Sequence, residues 1–294
     1  MDKELNRHGI ANIMLFIIAL VSIGSASILV RLSNASPYSC AFWRLFLASV
    51  FLYISSIITK NRLNLRELTE RTTPLVIFSG ICLGLHFVTW MDSLFRVPIA
   101  VSTTIVVAYP IHLMMIESVL EKEYPKIREI IGISIAYIGI LMFFGGTVIT
   151  RDIDIIGVVE SFIASIFAAI YFYIGRIIRK RIDIYSYTIP TYITGSLIAI
   201  IYGFTVNDNV FLYIYNSWLW LLLLALIPMI GGHTIMNYLL KFYKSSRVSS
   251  IALGEPIVAT LLSIPILGEI PSPHLILPMI LTLSGIGIVL LYQE

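Results

Sequence analysis

The stretch YPIHLMMIESVLEKEYP at residues 109–125 aligns without a gap with a second stretch, EPIVATLLSIPILGEIP at residues 255–271. A shift of 146 positions places Pro110 on Pro256, and other Pro, Glu and Gly residues coincide at the same offset. Coincidences at one fixed period are the mark of an internal repeat. We therefore predict that the chain consists of two copies of one structural unit.

The composition indicates the solvent in which this unit folds. Of 294 residues, 58% are hydrophobic and 13% are charged, and the mean hydropathy is +0.91. A soluble domain carries about 25% charged residues, so this chain is predicted to lie in a lipid bilayer. Twenty basic against 17 acidic residues is too even a balance for a nucleic-acid partner, and two cysteines exclude a disulfide scaffold.

A helix needs about 20 mostly apolar residues to cross the hydrocarbon core, and ten segments meet this length. The prediction is an all-α membrane protein with ten transmembrane helices and no separate extramembrane domain. The predicted spans are 10–32, 38–59, 74–94, 98–119, 128–149, 155–176, 185–205, 217–240, 247–268 and 273–292.

The basic residues orient these spans. Sixteen of the twenty Lys and Arg residues lie in the N-terminal segment or in the connections on the same side of the membrane as that segment. Three lie in the connections on the other side, and Arg44 lies within a span. Cytoplasmic loops carry the excess of Lys and Arg. We expect a multi-pass protein of the cell (inner or plasma) membrane, with both termini in the cytoplasm.

Residues 1–150 and 151–294 are the predicted repeats, each with five helices. Because five is odd, the second repeat must cross the membrane in the opposite direction. The loop between spans 4 and 5 contains Lys122, Lys126 and Arg128, whereas its equivalent between spans 9 and 10 contains no basic residue. Inverted repeats of this kind are typical of secondary transporters.

The repeated residues also resemble a known family, the EamA-type transporters of the drug/metabolite transporter (DMT) superfamily. The shared pattern is a Pro within a span, a Glu just beyond it and a Gly in the next span. Arg44 in SPYSCAFWRLFLAS also matches the family, although Pro190 stands at the equivalent position in the second half. The repeated residues are Pro110, Glu123 and Gly139, followed by Pro256, Glu269 and Gly285.

This resemblance implies ten helices, alternating access, a small organic solute and no enzymatic activity. It also implies structural roles for the repeated Pro and Gly residues. It does not identify the solute, because members carry amino acids, sugars, nucleotide-linked metabolites, choline and drugs.

Ionisable and polar side chains within spans are the candidates for function, because each charged residue costs about 2.5–3.5 kcal/mol on insertion scales. Glu255 lies near the middle of span 9, and burial favours the neutral form of a carboxyl group. It is therefore a candidate for both proton coupling and solute binding. The alternative is a structural carboxylate that bonds a neighbouring helix.

His86 and Trp90 share one polar face of span 3, while His233 and Asn237 follow the Gly-rich run of span 8. Tyr109 is the repeat equivalent of Glu255. We expect His86, Tyr109, His233 and Glu255 to open on one cavity between spans 3, 4, 8 and 9, where inverted-repeat transporters bind solutes. Trp90 is expected toward the outer rim of this cavity, with an interfacial anchor as its alternative, and Asn237 is a further candidate for solute binding.

Arg44 has two interpretations. Its guanidinium group has the geometry to bind a carboxylate through two hydrogen bonds. We favour a structural role, in which Arg44 ties helices together through backbone carbonyls or an acidic partner.

Enzyme motifs are absent: the sequence has no HExxH, no GxxxxGK[ST] and no GxGxxG. No cofactor and no metal site is predicted. The preferred function is export of an amino acid or related metabolite by a monomer, with possible proton coupling. Open alternatives are uptake or exchange of an organic cation or drug, a lipid-intermediate flippase and an intramembrane enzyme.

Overall fold

The computed structural model describes residues 2–61, 63–97, 99–122, 124–145, 154–212, 217–267, 273 and 276–291. Glu123, Glu269 and the predicted boundary between the repeats lie outside these residues. The helices are α1 (Asp2–Gly24), α2 (Ala26–Ser33), α3 (Pro37–Ile58), α4 (Thr73–Arg96), α5 (Ile99–Val106), α6 (Tyr109–Leu120), α7 (Ile127–Gly145), α8 (Ile155–Arg179), α9 (Ile184–Thr205), α10 (Ser217–Leu224), α11 (Ile235–Leu239), α12 (Ser245–Ser249), α13 (Glu255–Leu267) and α14 (Ile276–Leu291).

Within the described ranges, eight helical stretches are long and apolar enough to cross a membrane. The predicted all-α membrane protein is therefore confirmed. Two further helices, α7 and α14, fall within predicted spans and adjoin residues outside the described part, so the number of ten spans stays a prediction. The eight stretches are Asn12–Ser33, Pro37–Ile58, Thr73–Arg96, Val101–Leu120, Ile155–Arg179, Ile184–Thr205, Ser217–Leu239 and Ser245–Ile266.

Side chains at the N-cap start several of these helices. Ser36 precedes α3, Asp154 precedes α8 and Asp183 precedes α9, and each accepts a hydrogen bond from a backbone N–H at 2.9–3.0 Å. The first N–H groups of a helix have no partner within it, and the hydrocarbon core offers none. These caps therefore provide hydrogen-bond acceptors for backbone N–H groups at the ends of predicted membrane spans.

Spans 4 and 9 are interrupted at equivalent positions, although the sequence predicted each as a single span. In span 4, α5 ends at Val106 and α6 begins at Tyr109. In span 9, the 3-10 segment Ser250–Gly254 leads into α13 at Glu255. The offset of 146 residues places Tyr109 on Glu255, so both repeats change helical geometry at the same point.

The prolines explain these interruptions. Pro110 and Pro256 are each the second residue of the helix that follows the break, and proline donates no backbone hydrogen bond. An unbroken α-helix would leave the carbonyl of Ala252 unpaired. Instead, the backbone N–H of Glu255 donates to that carbonyl in the tighter 3-10 geometry.

Span 8 departs from α-helical geometry in another way. Residues Ala225–Thr234, between α10 and α11, form a π-helix that contains Pro228. π-helical turns occur frequently at functional sites. Here the hydroxyl of Thr234 donates to the carbonyl of Met229, five residues earlier, at 3.2 Å. The wide turn holds His233 in the interior of the bundle, where it is buried.

The α7–α14 pair joins the ends of the two predicted repeats. A Cβ atom added at Gly139 would collide with Thr282, and one added at Gly285 would collide with the backbone of Ala136. The 146-residue offset converts Gly139 into Gly285 and Ala136 into Thr282. The two contacts are therefore equivalent under the offset, with the roles of the two halves exchanged.

A methyl group at this contact should destabilise the protein. We expect Gly285→Ala to lower the free energy of unfolding by about 1–3 kcal/mol, because backbone atoms of α7 occupy the space. Gly287→Ala is the matched control, since no atom lies within 4 Å of a Cβ at Gly287. Thermal unfolding of both variants in detergent tests this, and an equal loss in both would contradict the packing argument.

Candidate functional site

A small cavity lies between the interrupted helices. Its volume is about 30 Å³, which leaves room for only about one or two water molecules. The lining residues come from α1, α2, α3, α4, the break between α5 and α6, the π-helix and the start of α13. They are Ile23, Ala26, Arg44, His86, Phe87, Trp90, Val106, Val107, Tyr109, His233 and Glu255.

Arg44 is 1% exposed and lies on the cavity wall. Its guanidinium carbon is 4.1 Å from the centroid of the Phe87 ring, a cation–π contact. Its Nε and Nη1 atoms have no hydrogen-bond partner among the described residues. The structural interpretation of Arg44, in which backbone carbonyls or an acidic partner bind its guanidinium group, stays a prediction.

Glu255 lies on the same cavity and is 8% exposed. Its Oε1 atom has no hydrogen-bond partner within the described part of the chain. No ion pair within 4.0 Å joins the carboxyl group of Glu255 to the Arg44 guanidinium. The cavity thus separates one buried acid from one buried base.

His86 and Trp90 form one side of the cavity. The Nδ1–H of His86 donates to the carbonyl of Ala164 at 2.9 Å, so the neutral ring carries its lone pair on Nε2. The two rings are parallel within 5°, with centroids 6.2 Å apart. The indole Nε1 of Trp90 has no partner among the described residues, so it is a further donor without an acceptor near the cavity.

Further aromatic rings lie next to His86, whose ring centroid is 6.3 Å from that of His233. His233 stacks on Phe172 with ring centroids 5.8 Å apart. It also packs against Phe87 in a T-shaped arrangement, with ring centroids 5.1 Å apart. Tyr109 stacks on the same Phe172 ring at 5.3 Å. The Nδ1 atom of His233 has no hydrogen-bond partner in the described ranges. This arrangement gives the site flat apolar faces beside its charged groups.

Asn237 is the one predicted site residue that does not line the cavity. It lies one turn beyond His233, and its side-chain amide donates to the carbonyl of His233 at 2.8 Å and to the hydroxyl of Tyr171. Its role in binding stays a prediction. In this structure Asn237 belongs to the layer of polar side chains that lies behind the cavity.

That layer closes the site on the side where α4 begins. The hydroxyl groups of Ser79 and Tyr187 are 2.7 Å apart, and those of Tyr192 and Thr234 are 2.9 Å apart. All four side chains are buried. Together with Tyr171 and Asn237, they fill the space between α4, α8, α9 and the π-helix.

The opposite side is closed as well. The hydroxyl groups of Ser93 and Ser102 are 2.6 Å apart. Further out, Arg96 lies 3.0 Å from a carboxylate oxygen of Asp92 and 3.2 Å from one of Glu160. Small-molecule sites usually measure about 300–1,000 Å³, so the 30 Å³ cavity between these layers is too small for an organic solute.

Phe87 is one of several apolar lining residues that the sequence reasoning missed, together with Ile23, Ala26, Val106 and Val107. An aromatic hydrocarbon within a membrane span costs nothing to insert, so it carries no signal comparable to that of a buried acid or histidine. Only the position next to His86 on the same helix pointed toward the site.

The described residues contain no group of three His, Cys, Asp or Glu side chains that could hold a metal ion.

Comparisons with known proteins agree with this architecture. Residues 10–145 and 155–291 each match the EamA-like transporter family. A protein of Bacillus subtilis (strain 168), the "Uncharacterized transporter YdfC", is 22% identical over 259 residues, which cover 87% of this chain and 82% of that protein. A solved crystal structure shares the fold, with a TM-score of 0.80 and 12% identity, over 96% of this chain and 97% of its own.

Proposed function

We propose that this protein, which belongs to the EamA-like transporter family, is a secondary carrier. It is a membrane transporter, and the proposed mechanism is alternating access. The observation that carries the proposal is the pair of buried side chains on one cavity, the basic Arg44 and the acidic Glu255. Both face one closed cavity, and both keep polar atoms without a hydrogen-bond partner among the described residues. Unpaired buried polar groups are costly, so such a pair favours a binding site.

We further propose ten transmembrane helices in two inverted five-helix repeats, residues 1–150 and 151–294. The exchanged contacts of Gly139 and Gly285 support this arrangement, as do the equivalent breaks at Tyr109 and Glu255. Rocking of one repeat against the other would open the cavity first to one side and then to the other. The distribution of Lys and Arg supports cytoplasmic termini in the cell membrane.

The cavity supports a zwitterionic solute, an amino acid or a related metabolite. Arg44 offers N–H donors for a carboxylate, and Glu255 offers a counter-charge for an ammonium group. The rings of Phe87 and His233 provide apolar faces for a side chain. Because the acid and the base do not pair directly within 4.0 Å, a zwitterion can bridge them.

We propose proton coupling through Glu255 and export as the direction of transport. Burial favours the neutral form of a carboxyl group, whereas a bound ammonium group favours the ionised form. Proton and solute would then alternate on the same carboxylate. The alternative, an organic cation or drug, is disfavoured by the buried positive charge of Arg44 on the same cavity.

Counterflow into proteoliposomes tests the proposed solute class. We expect exchange of labelled neutral amino acids to exceed exchange of the corresponding amines, which lack the carboxylate, and of the corresponding hydroxy acids, which lack the ammonium group. The reason is that only the amino acid engages both Arg44 and Glu255. Empty liposomes are the control. Faster exchange of the amine would favour the organic-cation alternative, and no exchange of any of the three would contradict the proposal.

A further inference from the structure

A second cavity lies where α7 begins, α8 ends and α14 ends. Its volume is about 440 Å³, within the range of about 300–1,000 Å³ that is usual for small-molecule sites. It shares no lining residue with the central cavity. The two cavities are therefore separate sites.

Basic side chains dominate this second cavity. They come from three segments: the start of α7 with its preceding loop, the end of α8, and α12 with the residue before it. Against them stands one acidic lining residue, Glu129, which already accepts hydrogen bonds from the backbone N–H of Lys126 and the hydroxyl of Ser246, both at 2.9 Å. The basic lining residues are Lys126, Arg128, Arg176, Lys244 and Arg247.

Two of the arginines are held in place by the protein itself. Arg176 donates hydrogen bonds to the carbonyls of Leu240 and Tyr243. Arg247 donates to the carbonyl of Leu290, and its guanidinium carbon lies 4.9 Å from the centroid of the Tyr243 ring. A ligand that binds here does not have to order these side chains, which lowers the entropic cost of binding.

The remaining wall is apolar and continues onto the outside of the bundle. Phe242 is 52% exposed and Ile288 is 37% exposed, and both line the cavity. On α14, Val289 lines the cavity beside Ile288, so the basic groups adjoin an aliphatic surface. A cavity that is basic at its mouth and apolar on its wall matches a molecule with an anionic head and a hydrocarbon tail.

We infer that this cavity binds the phosphate headgroup of an anionic phospholipid, with an acyl chain against α14. Basic pockets between transmembrane helices on the cytoplasmic side bind such headgroups. The assignment to the cytoplasmic leaflet rests on the orientation proposed above. Binding itself does not depend on the transported solute or on Glu255, so it can be tested even if the proposed transport fails.

Thermal unfolding of the full-length protein in a neutral detergent tests the inference. We expect phosphatidylglycerol to raise the unfolding temperature and phosphatidylcholine of the same chain length to leave it unchanged, because a ligand of the folded state stabilises it by mass action. In the double variant Lys126→Gln/Arg128→Gln, the apparent affinity for phosphatidylglycerol should fall about thirty-fold. Both side chains are exposed, so the fold should remain intact.

The matched control is Arg66→Gln/Arg71→Gln, which removes two exposed basic residues from another loop on the same predicted side. This variant should retain the affinity of the unmodified protein. An equal loss in the control would overturn the inference, because it would show only general charge attraction. Equal stabilisation by phosphatidylcholine would also overturn it. Stabilisation by inorganic phosphate alone would overturn the lipid assignment and indicate a site for a soluble anion.

Discussion

Replacing Glu255 by Gln should abolish transport driven by a pH gradient. The substitution keeps the size and hydrogen bonding of the side chain but removes the group that exchanges a proton, so accumulation should fall to the level of empty liposomes. Solute exchange in the absence of a gradient should persist at a reduced rate. The measurement compares both activities of the purified variant in proteoliposomes.

Glu160→Gln is the matched control for this experiment. Glu160 is also an acidic residue within a span, but it lies 3.2 Å from Arg96 and does not line the central cavity. We expect this variant to keep gradient-driven accumulation. Undiminished accumulation in Glu255→Gln would return Glu255 to a structural role, and a loss in both variants would leave no specific role for the cavity carboxylate.

Replacing Arg44 by Gln should weaken the binding of a zwitterionic solute by about thirty-fold to several thousand-fold. Removing one partner of a buried, hydrogen-bonded charge pair costs about 2–5 kcal/mol, and each 1.4 kcal/mol is a factor of about ten. Arg44→Lys should lose less, because it keeps the charge but not the planar fork. The half-saturating concentration in counterflow measures the effect for the amino acid that the unmodified protein exchanges fastest.

The corresponding amine distinguishes a loss of solute binding from a loss of folded protein in this test. It lacks the carboxylate that Arg44 is proposed to hold, so its weak exchange should be the same in the unmodified protein and in Arg44→Gln. Arg31→Gln, at an exposed position of α2, should leave both solutes unaffected. If Arg44→Gln weakens the amine as strongly as the amino acid, Arg44 is a structural residue, as the sequence analysis favoured.

Much of the central cavity could be predicted from the chain alone. His86, His233 and Glu255 were identifiable because polar side chains within apolar spans need a partner or a cavity. Tyr109 was identifiable only through the repeat, as the equivalent of Glu255. Trp90 had two interpretations from sequence, and in the structure its ring lies parallel to that of His86 on the cavity wall.

Other features could not be predicted because they depend on how the helices pack. Asn237 follows His233 by four residues and shares its helical face, yet Tyr171 on α8 holds its amide in the layer behind the cavity. Arg44 was expected to bond backbone carbonyls or an acidic partner, which stays a prediction, and its position over the Phe87 ring follows from the packing of α3 beside α4. Neither neighbour can be read from local sequence.

The chain's own pattern was enough to predict a helical membrane protein in which one unit occurs twice, because insertion energy and a fixed offset are properties of the sequence alone. Which way Arg44 and Glu255 face, and which helices meet at Gly139 and Gly285, could be seen only in the folded protein. Those outcomes depend on contacts between segments far apart in sequence. A membrane span is specified by its own hydrophobicity, whereas a cavity is specified by the surfaces of several spans at once.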